Sequence, residues 1–297
     1  MSQLQGFLNL NKPSGLTSHD LVARVRRLVG RGVKVGHAGT LDPSATGVLP
    51  IALGAATRLI EYLAEARKGY HGLVRLGVRT TTDDAEGEIL ETCELPLIRD
   101  AQIEAAVAPL RGAIMQLPPH YSALHQDGQR LYALARAGQP ITLAARPVMV
   151  ERLVWQRVQA DLLAIEVVCG KGTYIRSLAR DLGVALGCGA HLAALTRTFV
   201  GPFQLDSASS LEQLMAEPEL LQAVLLPPAI AVADWPAVYL ASDQVRRVIH
   251  GMSISLPDLT APHVRAHTSD GTLLALLRRV DDHWQPEKVL VGAGSVA

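Results

Sequence analysis

Apolar residues recur along the chain in short runs that predict both strands and helices. Residues 6–10 alternate as a strand does, and residues 48–53 are almost wholly apolar, as in a strand that is buried on both faces. Between them, apolar residues from 21 to 29 repeat at helical spacing. Thr17 lies just before that repeat with Asp20 three residues later, a spacing that predicts a capping box at the start of the helix.

The same mixture of helix and strand continues to about residue 230. The predicted helices are 57–67, 100–111, 173–186 and 211–226, and the predicted strands lie within 68–91 and at 148–158, 162–169 and 190–199. Residues 115–147 are polar and irregular, and an insertion of this length is usually functional or mobile. The periodicity by itself predicts an α+β chain.

A change in composition near residues 230–236 predicts a domain boundary. Pro227, Pro228 and Pro236 cluster there, and the chain that follows is more acidic. Short strand-like runs at 264–267, 273–277 and 289–292 come after it, separated by turn residues. We therefore expect two domains, residues 1–234 and a small β-rich domain over residues 235–297.

The net charge is zero, with 28 basic and 28 acidic residues among 297, which by itself argues against a nucleic-acid partner. The charges are unevenly distributed, however. Residues 1–80 hold 11 basic and 4 acidic side chains, and residues 111–197 hold 10 and 5, whereas the acidic surplus lies in 81–110 and 198–297. Of the 28 cations 23 are arginine, whose planar fork suits phosphate. The distribution indicates a basic face.

Neither a metal site nor a membrane segment is predicted. Cys93, Cys169 and Cys188 show no metal-ligand spacing and no disulfide framework, so they are expected to be small buried hydrophobic residues. No signal peptide and no apolar run of about 18 residues is seen. We therefore expect a cytoplasmic protein without a membrane contact.

The glycine-rich segment 36–47 is the most informative part of the sequence. Asp42 is the only acid between Asp20 and Glu61, it precedes a proline that stiffens its backbone, and Lys34 and His37 lie nearby. A lone carboxylate in a basic loop would repel phosphate, so it is expected to have another use. An equally weighted alternative is that Asp42 caps a turn or pairs with an arginine.

Three further residues are candidates on chemical grounds. Arg176 lies in the first turn of a predicted helix, where a cation opposes the helix dipole, so it is a candidate partner for Asp42. A solvated surface arginine is the alternative. Tyr70 and Tyr174 lie beside basic residues and could form a stacking platform for a base, although half-buried packing is the commoner use of such tyrosines.

Taken together, several ordered motifs resemble the TruB family of bacterial tRNA pseudouridine-55 synthases. They cover about two hundred residues in order, which makes the resemblance far more specific than any one motif. The motifs lie at 10–20, 36–50, 76–77 with 80–87, 118–123, 171–176, 187–192 and 195–197.

The resemblance implies a fold, a reaction and a partner. The fold would be the pseudouridine synthase α+β core, a mixed and mostly antiparallel curved sheet with flanking helices, plus a small C-terminal β-rich PUA-like domain. The reaction would convert uridine 55 in the T-loop of tRNA to pseudouridine, without metal or cofactor, after the nucleotide has been flipped out of its stack. The partner would be the T-arm stem–loop of tRNA, and a monomer is the default expectation.

The resemblance also assigns roles to individual residues. Asp42 would be the nucleophile, Tyr70 would stack on the flipped base and act as the general base, and Arg176 would hold the carboxylate of Asp42 ionised. The segment 115–147 would be a thumb that grips RNA. The expected substrate-binding residues are Tyr174 and Leu195 as pocket lining, His37 in the space that the base leaves, and Lys12 and Arg197 as site or backbone contacts.

The sequence departs from the family pattern at two positions. Gly69 replaces a basic residue between Lys68 and Tyr70, and His125 replaces a lysine, and both changes are expected to weaken phosphate contacts without altering the chemistry. The rival hypothesis is a non-catalytic RNA-binding or tRNA-folding protein on the same scaffold. A hydrolase is a weaker alternative, because no serine lies in a nucleophile elbow.

Overall fold

The computed structural model describes residues 4–119, 125–126, 129–130, 143–256 and 259–291. Most of the predicted insertion at 115–147 therefore lies outside the described residues.

Strands are the more abundant element of the described chain. The bounds are β1 Gly6–Lys12, β2 Val35–His37, β3 Thr46–Leu53, β4 Lys68–Leu76, β5 Val78–Thr80, β6 Ile89–Thr92, β7 Gly112–Gln116, β8 His125–Gln126, β9 Gln129–Arg130, β10 Arg146–Gln159, β11 Leu162–Cys169, β12 Ala190–Val200, β13 Phe203–Gln204, β14 Ser209–Ser210, β15 Ala237–Tyr239, β16 His263–His267, β17 Leu273–Val280 and β18 His283–Val289.

Seven α-helices accompany these strands in the described residues. They are α1 Ser18–Val29, α2 Ile60–Glu65, α3 Asp100–Val107, α4 Ile175–Ala185, α5 Leu211–Ala216, α6 Leu220–Val224 and α7 Ser242–Ile249. Short 3-10 turns at Gly54–Leu59 and Ala108–Leu110 extend α2 and α3.

The main sheet is mixed and mostly antiparallel, as predicted. Its strands follow the order β14-β1-β3-β12-β4-β11-β10-β7, with β13 added to β12 and β2 added to β3. Within it, the β1–β14 and β3–β12 pairs are parallel. The β3–β12 pair and the neighbouring β12–β4 pair matter most, because they bring residues 46–47, 70–72 and 195–197 side by side.

Helix α1 begins as the sequence predicts. The Thr17 hydroxyl accepts a hydrogen bond from the Asp20 amide at 3.0 Å, and the Asp20 carboxylate accepts one from the Thr17 amide at 3.0 Å. This capping box satisfies two amides that a helix start leaves unpaired. Leu21, Val22 and Val25 then lie buried against the sheet.

The single helix predicted over 211–226 is wrong, because the chain forms two short helices, α5 and α6, in that region. Pro218 is the physical reason, since proline removes a backbone donor and disfavours helical backbone at Glu217 before it. Glu217 accordingly has φ −127 and ψ 73, outside the helical region.

The C-terminal segment contains a four-stranded sheet in the order β15-β16-β17-β18 and the helix α7, which the sequence pattern did not predict. The strand predicted over 289–292 is also misplaced, because β18 ends at Val289. The apolar side chain of Leu290 instead packs into a cluster with residues of the main sheet and its helices.

That cluster joins the two parts of the chain, and we call it the seam. Leu273, Leu276 and Leu290 from the C-terminal segment are buried together with Phe7 and Leu63 from the N-terminal part. Full burial of a leucine contributes about 1.5–3 kcal/mol.

Polar contacts border the seam. The hydroxyl of Tyr62 donates to Glu287 at 3.0 Å, and Lys288 pairs with Glu61. Both contacts join α2 to β18, so apolar burial and surface pairing hold the same two parts of the chain together.

Candidate active site

Asp42 lies in the loop between β2 and β3, and the start of α1 holds this loop in place. The Ser18 hydroxyl accepts a hydrogen bond from the Leu41 amide at 2.8 Å and donates one to the Leu41 carbonyl at 3.1 Å. On the other side of Asp42, the Gly15 amide donates to the Pro43 carbonyl at 2.9 Å. The backbone on both sides of the carboxylate is therefore fixed by the first helix and its preceding turn.

Lys12 is a buried cation beneath this loop. Its ammonium donates to the carbonyls of Pro13 at 2.9 Å, Leu16 at 2.6 Å and Pro43 at 2.9 Å, and its side chain has no exposed surface. Burial lowers the pKa of Lys12 to about 8, while the nearby Asp42 charge opposes that shift. These hydrogen bonds join Lys12 to the backbone of the Asp42 loop, and its predicted contact with the substrate stays a prediction.

Arg197 supports the loop from the opposite side. Its guanidinium donates to the carbonyls of Val48 at 2.8 Å, Thr40 at 3.2 Å and Gly39 at 3.1 Å. Gly47 allows the backbone of Arg197 to lie close beside it in the β3–β12 pair: its φ is +102, and an added Cβ would lie 2.2 Å from the Arg197 carbonyl oxygen. Arg197 thus joins β12 to the Asp42 loop, and it also borders the cavity described below.

Arg176 and Asp42 form the ion pair that the sequence predicts. Arg176 Nε lies 3.0 Å from Asp42 Oδ2, and its second terminal nitrogen donates to Oδ1 at 3.2 Å. This two-point contact fixes the orientation of the carboxylate as well as its charge. The arginine side chain is only 7% exposed, whereas that of Asp42 is 37% exposed toward the cavity.

Asp84 is a site residue that the sequence reasoning missed. Its Oδ2 lies 3.3 Å from Nη1 of Arg176, which also donates to the Thr82 carbonyl at 3.0 Å. Asp84 is itself buried, and its Oδ1 accepts hydrogen bonds from the Glu86 amide and the Thr82 hydroxyl. The acidic cluster at 81–88 was the available signal, but its pattern equally fits an exposed turn.

Burial raises the pKa of Asp42 above its ordinary value, and the Arg176 charge counteracts part of this effect. Asp84 and Glu86 add to the upward shift, because a second negative charge nearby disfavours ionisation. The Arg176 guanidinium therefore forms ion pairs with two carboxylates, those of Asp42 and Asp84. The ion pair limits the cost of desolvating Asp42 without abolishing it.

Tyr70 is buried on β4 directly opposite Arg197 on β12 and Val167 on β11. Burial raises the pKa of Tyr70, and the Arg197 charge acts in the opposite direction. Its side chain is therefore the neutral phenol near pH 7.

A cavity of about 370 Å³ opens above these groups, large enough for a nucleobase and part of its sugar. Six of the eight predicted site residues border it, together with Lys68 and Lys171. The six are Asp42, Tyr70, Tyr174, Arg176, Leu195 and Arg197.

The other two predicted residues, Lys12 and His37, do not border the cavity. His37 ends β2, and burial lowers its pKa, which keeps the imidazole neutral. Its Nδ1 is buried and has no hydrogen-bond partner among the described residues.

Tyr174 precedes helix α4, and Gln116 at the end of β7 holds its backbone. The Tyr174 amide donates to Oε1 of Gln116 at 2.8 Å, and Nε2 of Gln116 donates to the Tyr174 carbonyl at 3.1 Å. Gln116 is almost fully buried. It therefore positions the helix start that carries Arg176, a role with no signal in the sequence.

Gly69, the first departure from the family pattern, has a packing explanation. An added Cβ would lie 2.2 Å from the ring of Phe199 on β12 and 2.7 Å from the Thr198 hydroxyl. Gly69 and Phe199 face each other in the β4–β12 ladder, so the aromatic ring occupies the space of a side chain. The side chain of His125, the second departure, lies outside the described residues.

Across the described residues, no group of three or more His, Cys, Asp or Glu side chains could hold a metal ion. The described helices include none that is long and apolar enough to cross a membrane.

A family model described as "TruB family pseudouridylate synthase (N terminal domain)" matches residues 26–175. The chain belongs to the TruB family. Two further TruB models match the remainder, the "tRNA pseudouridylate synthase B C-terminal domain" at 176–233 and the "tRNA Pseudouridine synthase II, C terminal" model at 235–291.

Full-length relatives agree with this assignment to the TruB family. The chain is 47% identical to the tRNA pseudouridine synthase B of Thermobifida fusca, over 98% of this chain and 99% of that protein. It is 48% identical to the Synechocystis protein of the same name, over 86% of each chain.

Solved structures show the same fold with lower identity. A chain in an H/ACA RNP bound to a substrate RNA containing 2'-deoxyuridine is 26% identical, with a TM-score of 0.74 over 96% of this chain and 85% of that chain. A chain in a Cbf5-Nop10-Gar1 complex is 27% identical, with a TM-score of 0.73 over 98% and 86% of the two chains. These similarities confirm the predicted pseudouridine synthase fold.

Proposed function

We propose that the chain is a tRNA pseudouridine synthase that converts uridine 55 of the T-loop into pseudouridine. The observation that carries this proposal is the ion pair of Asp42 and Arg176 at a cavity of about 370 Å³ that can take a single base. Membership of the TruB family and the names of the full-length relatives support the same reaction.

The reaction is an isomerisation and needs no external atom. The bond between N1 of uracil and C1′ of ribose breaks, the base turns, and a new bond forms between C5 and C1′. The C5 proton is then lost, and N1 gains a proton, so the composition is unchanged. In this proposal Asp42 is the nucleophile, and Arg176 orients its carboxylate while stabilising the ionised form.

Entry of the base requires the nucleotide to leave its stack, which costs a few kcal/mol. Tyr70 would stack on the flipped base, with Tyr174 and Leu195 lining the pocket. His37, half-buried beside the loop, would occupy the space that the base leaves in the RNA.

Two cations would support the nucleophile without touching the reacting atoms. Lys12 and Arg197 would hold the Asp42 loop through its backbone carbonyls, with Arg197 also at the cavity wall. Both are therefore positioning residues in this proposal.

Tyr70 is also the proposed general base for the C5 proton. Its raised pKa means that the phenol must first release its own proton, whereas stacking needs no ionisation. The substitution Tyr70→Phe separates the two roles, because phenylalanine stacks but cannot accept a proton. Loss of turnover with retained RNA affinity would support the general base.

The remaining proposals concern the domain boundaries, the cellular location and the oligomeric state. Residues 1–234 would form the catalytic domain, with 115–147 as an RNA-gripping thumb, and residues 235–297 would form a PUA-like domain that contacts RNA. We propose a cytoplasmic monomer that acts on the T-arm of tRNA without metal or cofactor.

Asp42→Asn tests the function directly. We expect it to abolish pseudouridine formation on a T-arm stem–loop while RNA binding persists, because the amide keeps the shape but is not a nucleophile. The readout is chemical detection of pseudouridine, with EDTA present in a parallel reaction. Asp100→Asn is the matched control, since this exposed carboxylate pairs only at the surface.

A wild-type protein that binds RNA but forms no pseudouridine would favour the rival hypothesis, a binding or folding protein. Retained turnover in Asp42→Asn would remove Asp42 from its role. Turnover that EDTA abolishes would contradict the proposal that no metal takes part.

A further inference from the structure

A cluster of cations lies at the turn between α1 and β2, away from the candidate active site. We call the side chains of Arg24, Arg26, Arg27, Arg31 and Lys34 the α1–β2 tip. All except Arg24, which is half-buried, are exposed. No acidic residue occurs between Asp20 and Asp42. The nearest acid, Asp20, lies one helical turn before Arg24 and interacts electrostatically with it, and the sequence supplies no such neighbour for the other four cations.

The tip differs from the other exposed cations of the N-terminal part. Many of those have carboxylate partners. Nε of Arg67 lies 2.7 Å from Oε2 of Glu151, and Nη1 of Arg79 lies 2.9 Å from Oε2 of Glu91. Nζ of Lys171 lies 2.6 Å from Oε1 of Glu65. Within the described residues, none of the five tip cations forms an ion pair with a carboxylate. An unneutralised group of cations is costly through mutual repulsion and suits a polyanionic partner.

The tip also has a concave shape. A surface groove of about 680 Å³ is bordered by Arg26, Arg27 and Arg31, with Ala23 and Val33. Positive φ values at Gly30 (81°) and Gly32 (91°) form the turn that brings Arg31 to the same groove as the helix cations. Several guanidinium groups around one groove can contact neighbouring phosphates.

Helix geometry gives the distance between the tip and the nucleophile. Ser18, the first residue of α1, contacts Leu41 beside Asp42, and α1 then runs for 12 residues. At 1.5 Å per residue the far end of the helix lies roughly 18 Å from that contact. This is too far for the tip to touch a base in the cavity, yet within the span of a folded RNA.

We propose that the α1–β2 tip is a second RNA-binding surface, which contacts backbone phosphates of the substrate roughly 15–20 Å from the reacting uridine. This inference rests on the proposed function. The tip contributes affinity and orientation of the RNA, and it does not take part in the chemical step.

The test removes three tip charges in one variant, Arg26→Gln/Arg27→Gln/Arg31→Gln. Because Arg26 also approaches the Val35 carbonyl at 3.4 Å, a second variant, Arg27→Gln/Arg31→Gln, leaves that contact intact. The matched control, Arg79→Gln/Arg99→Gln/Arg152→Gln, removes three exposed cations elsewhere and changes the net charge equally. The ion pairs that this control removes, those of Arg79 with Glu91 and Arg152 with Glu166, lie at the surface and contribute little to stability.

Binding of full-length tRNA and of the isolated T-arm stem–loop is measured over a range of salt concentrations. For the triple tip variant we expect affinity for tRNA to fall about tenfold or more, and the salt slope to fall by about 2–3, or about one for each phosphate that the variant no longer binds. The double variant should show a proportionate effect, and the control should behave as wild type. The turnover number at saturating tRNA should stay unchanged.

An equal loss of affinity for the stem–loop would also support the proposal, and would locate the phosphates in the T-arm. Wild-type affinity and salt slope in both tip variants would overturn it. So would an equal loss of affinity in the control, or a fall in turnover number with affinity unchanged. Failure of the proposed function would look different, because the wild-type protein would then form no pseudouridine on either RNA.

Discussion

Asp42, the proposed nucleophile, must carry a negative charge, yet it lies where burial opposes that charge. Its pKa is raised mainly by burial, and Asp84 and Glu86 add to the shift. The carboxylate fraction falls as the pH drops through this raised pKa. We therefore expect the acid limb of kcat/KM to lie above the ordinary value of 3.8.

A pH–rate profile of pseudouridine formation checks this expectation, with circular dichroism to show that the protein stays folded. Asp84→Asn removes one of the two carboxylates that raise the pKa, so its acid limb should move to lower pH. An acid limb of the wild type at or below pH 3.8 would contradict the prediction.

Lys12 provides a second prediction for a single residue. Lys12→Met keeps the shape of the side chain but removes the donor to the carbonyls of Pro13 and Leu16, and leaves the Pro43 carbonyl with the Gly15 amide alone. We expect a decrease of about 2–4 kcal/mol in the free energy of unfolding, because unsatisfied buried groups keep their desolvation cost. Turnover should also fall, since the Asp42 loop loses a support.

Urea unfolding measures the effect of Lys12→Met, with Lys171→Met as the control for stability. Lys171 is exposed and pairs with Glu65 at the surface, so its removal should cost less than about 1 kcal/mol. Equal stability of the two variants would contradict a structural role for Lys12.

Between elements, the β4–β12 ladder depends on the fit of Gly69 to Phe199. Restoring the basic residue of the family pattern with Gly69→Arg would place a side chain where the ring lies 2.2 Å from an ideal Cβ. We expect a destabilisation of about 1–3 kcal/mol, typical of overpacking, and reduced turnover because Tyr70 follows directly.

The double variant Gly69→Arg/Phe199→Ala checks that explanation by urea unfolding. Removing the ring should recover part of the stability, which would appear as a coupling between the two sites. Strictly additive effects of the single substitutions would show that the ring is not the cause.

The helices and strands show which element boundaries the sequence pattern predicts and which it misses. The capping box at Thr17 and the first-turn position of Arg176 were predicted correctly, because both depend on residues only a few positions apart. The break at Pro218 was missed since the apolar repeat continues on both sides of the proline. The strand at 283–289 was predicted too far along the chain, because the apolar residues that follow it are buried outside the strand, Leu290 in the seam and Val291 against the C-terminal sheet.

At the scale of the whole molecule, the C-terminal sheet shares a hydrophobic cluster with the main sheet. Leu273, Leu276 and Leu290 are buried against residues such as Phe7 and Leu59. We therefore expect calorimetry of the full chain to show a single cooperative unfolding transition. Deletion of residues 235–297 should lower the stability of the remaining chain, because it exposes that cluster.

Two substitutions, Leu276→Ala at the seam and Leu274→Ala inside the C-terminal sheet, distinguish cooperative unfolding of the whole chain from independent unfolding of its two parts. Both should lower the one transition temperature, with a cost of about 2–5 kcal/mol each. Two transitions, of which only one responds to Leu274→Ala, would show that the two parts unfold independently.

The local features of this protein follow from the amino-acid sequence alone: the α+β pattern, the capped first helix, the stiff loop around Asp42 and the uneven distribution of charge. Each depends on residues that are close along the chain, so composition and spacing reveal it. The ordered motifs likewise indicate the family without reference to any tertiary contact.

The surroundings of the Asp42 carboxylate depend on contacts between distant parts of the chain. Arg176 and Asp42 are 134 residues apart, and Asp84 completes their network from a third segment. Lys12 and Arg197 donate to backbone carbonyls of the Asp42 loop that are distant in sequence, contacts that no local pattern predicts. The burial of Asp42 and its pairing with Arg176 arise only when distant segments pack together in the fold. No pattern among neighbouring residues predicts that packing.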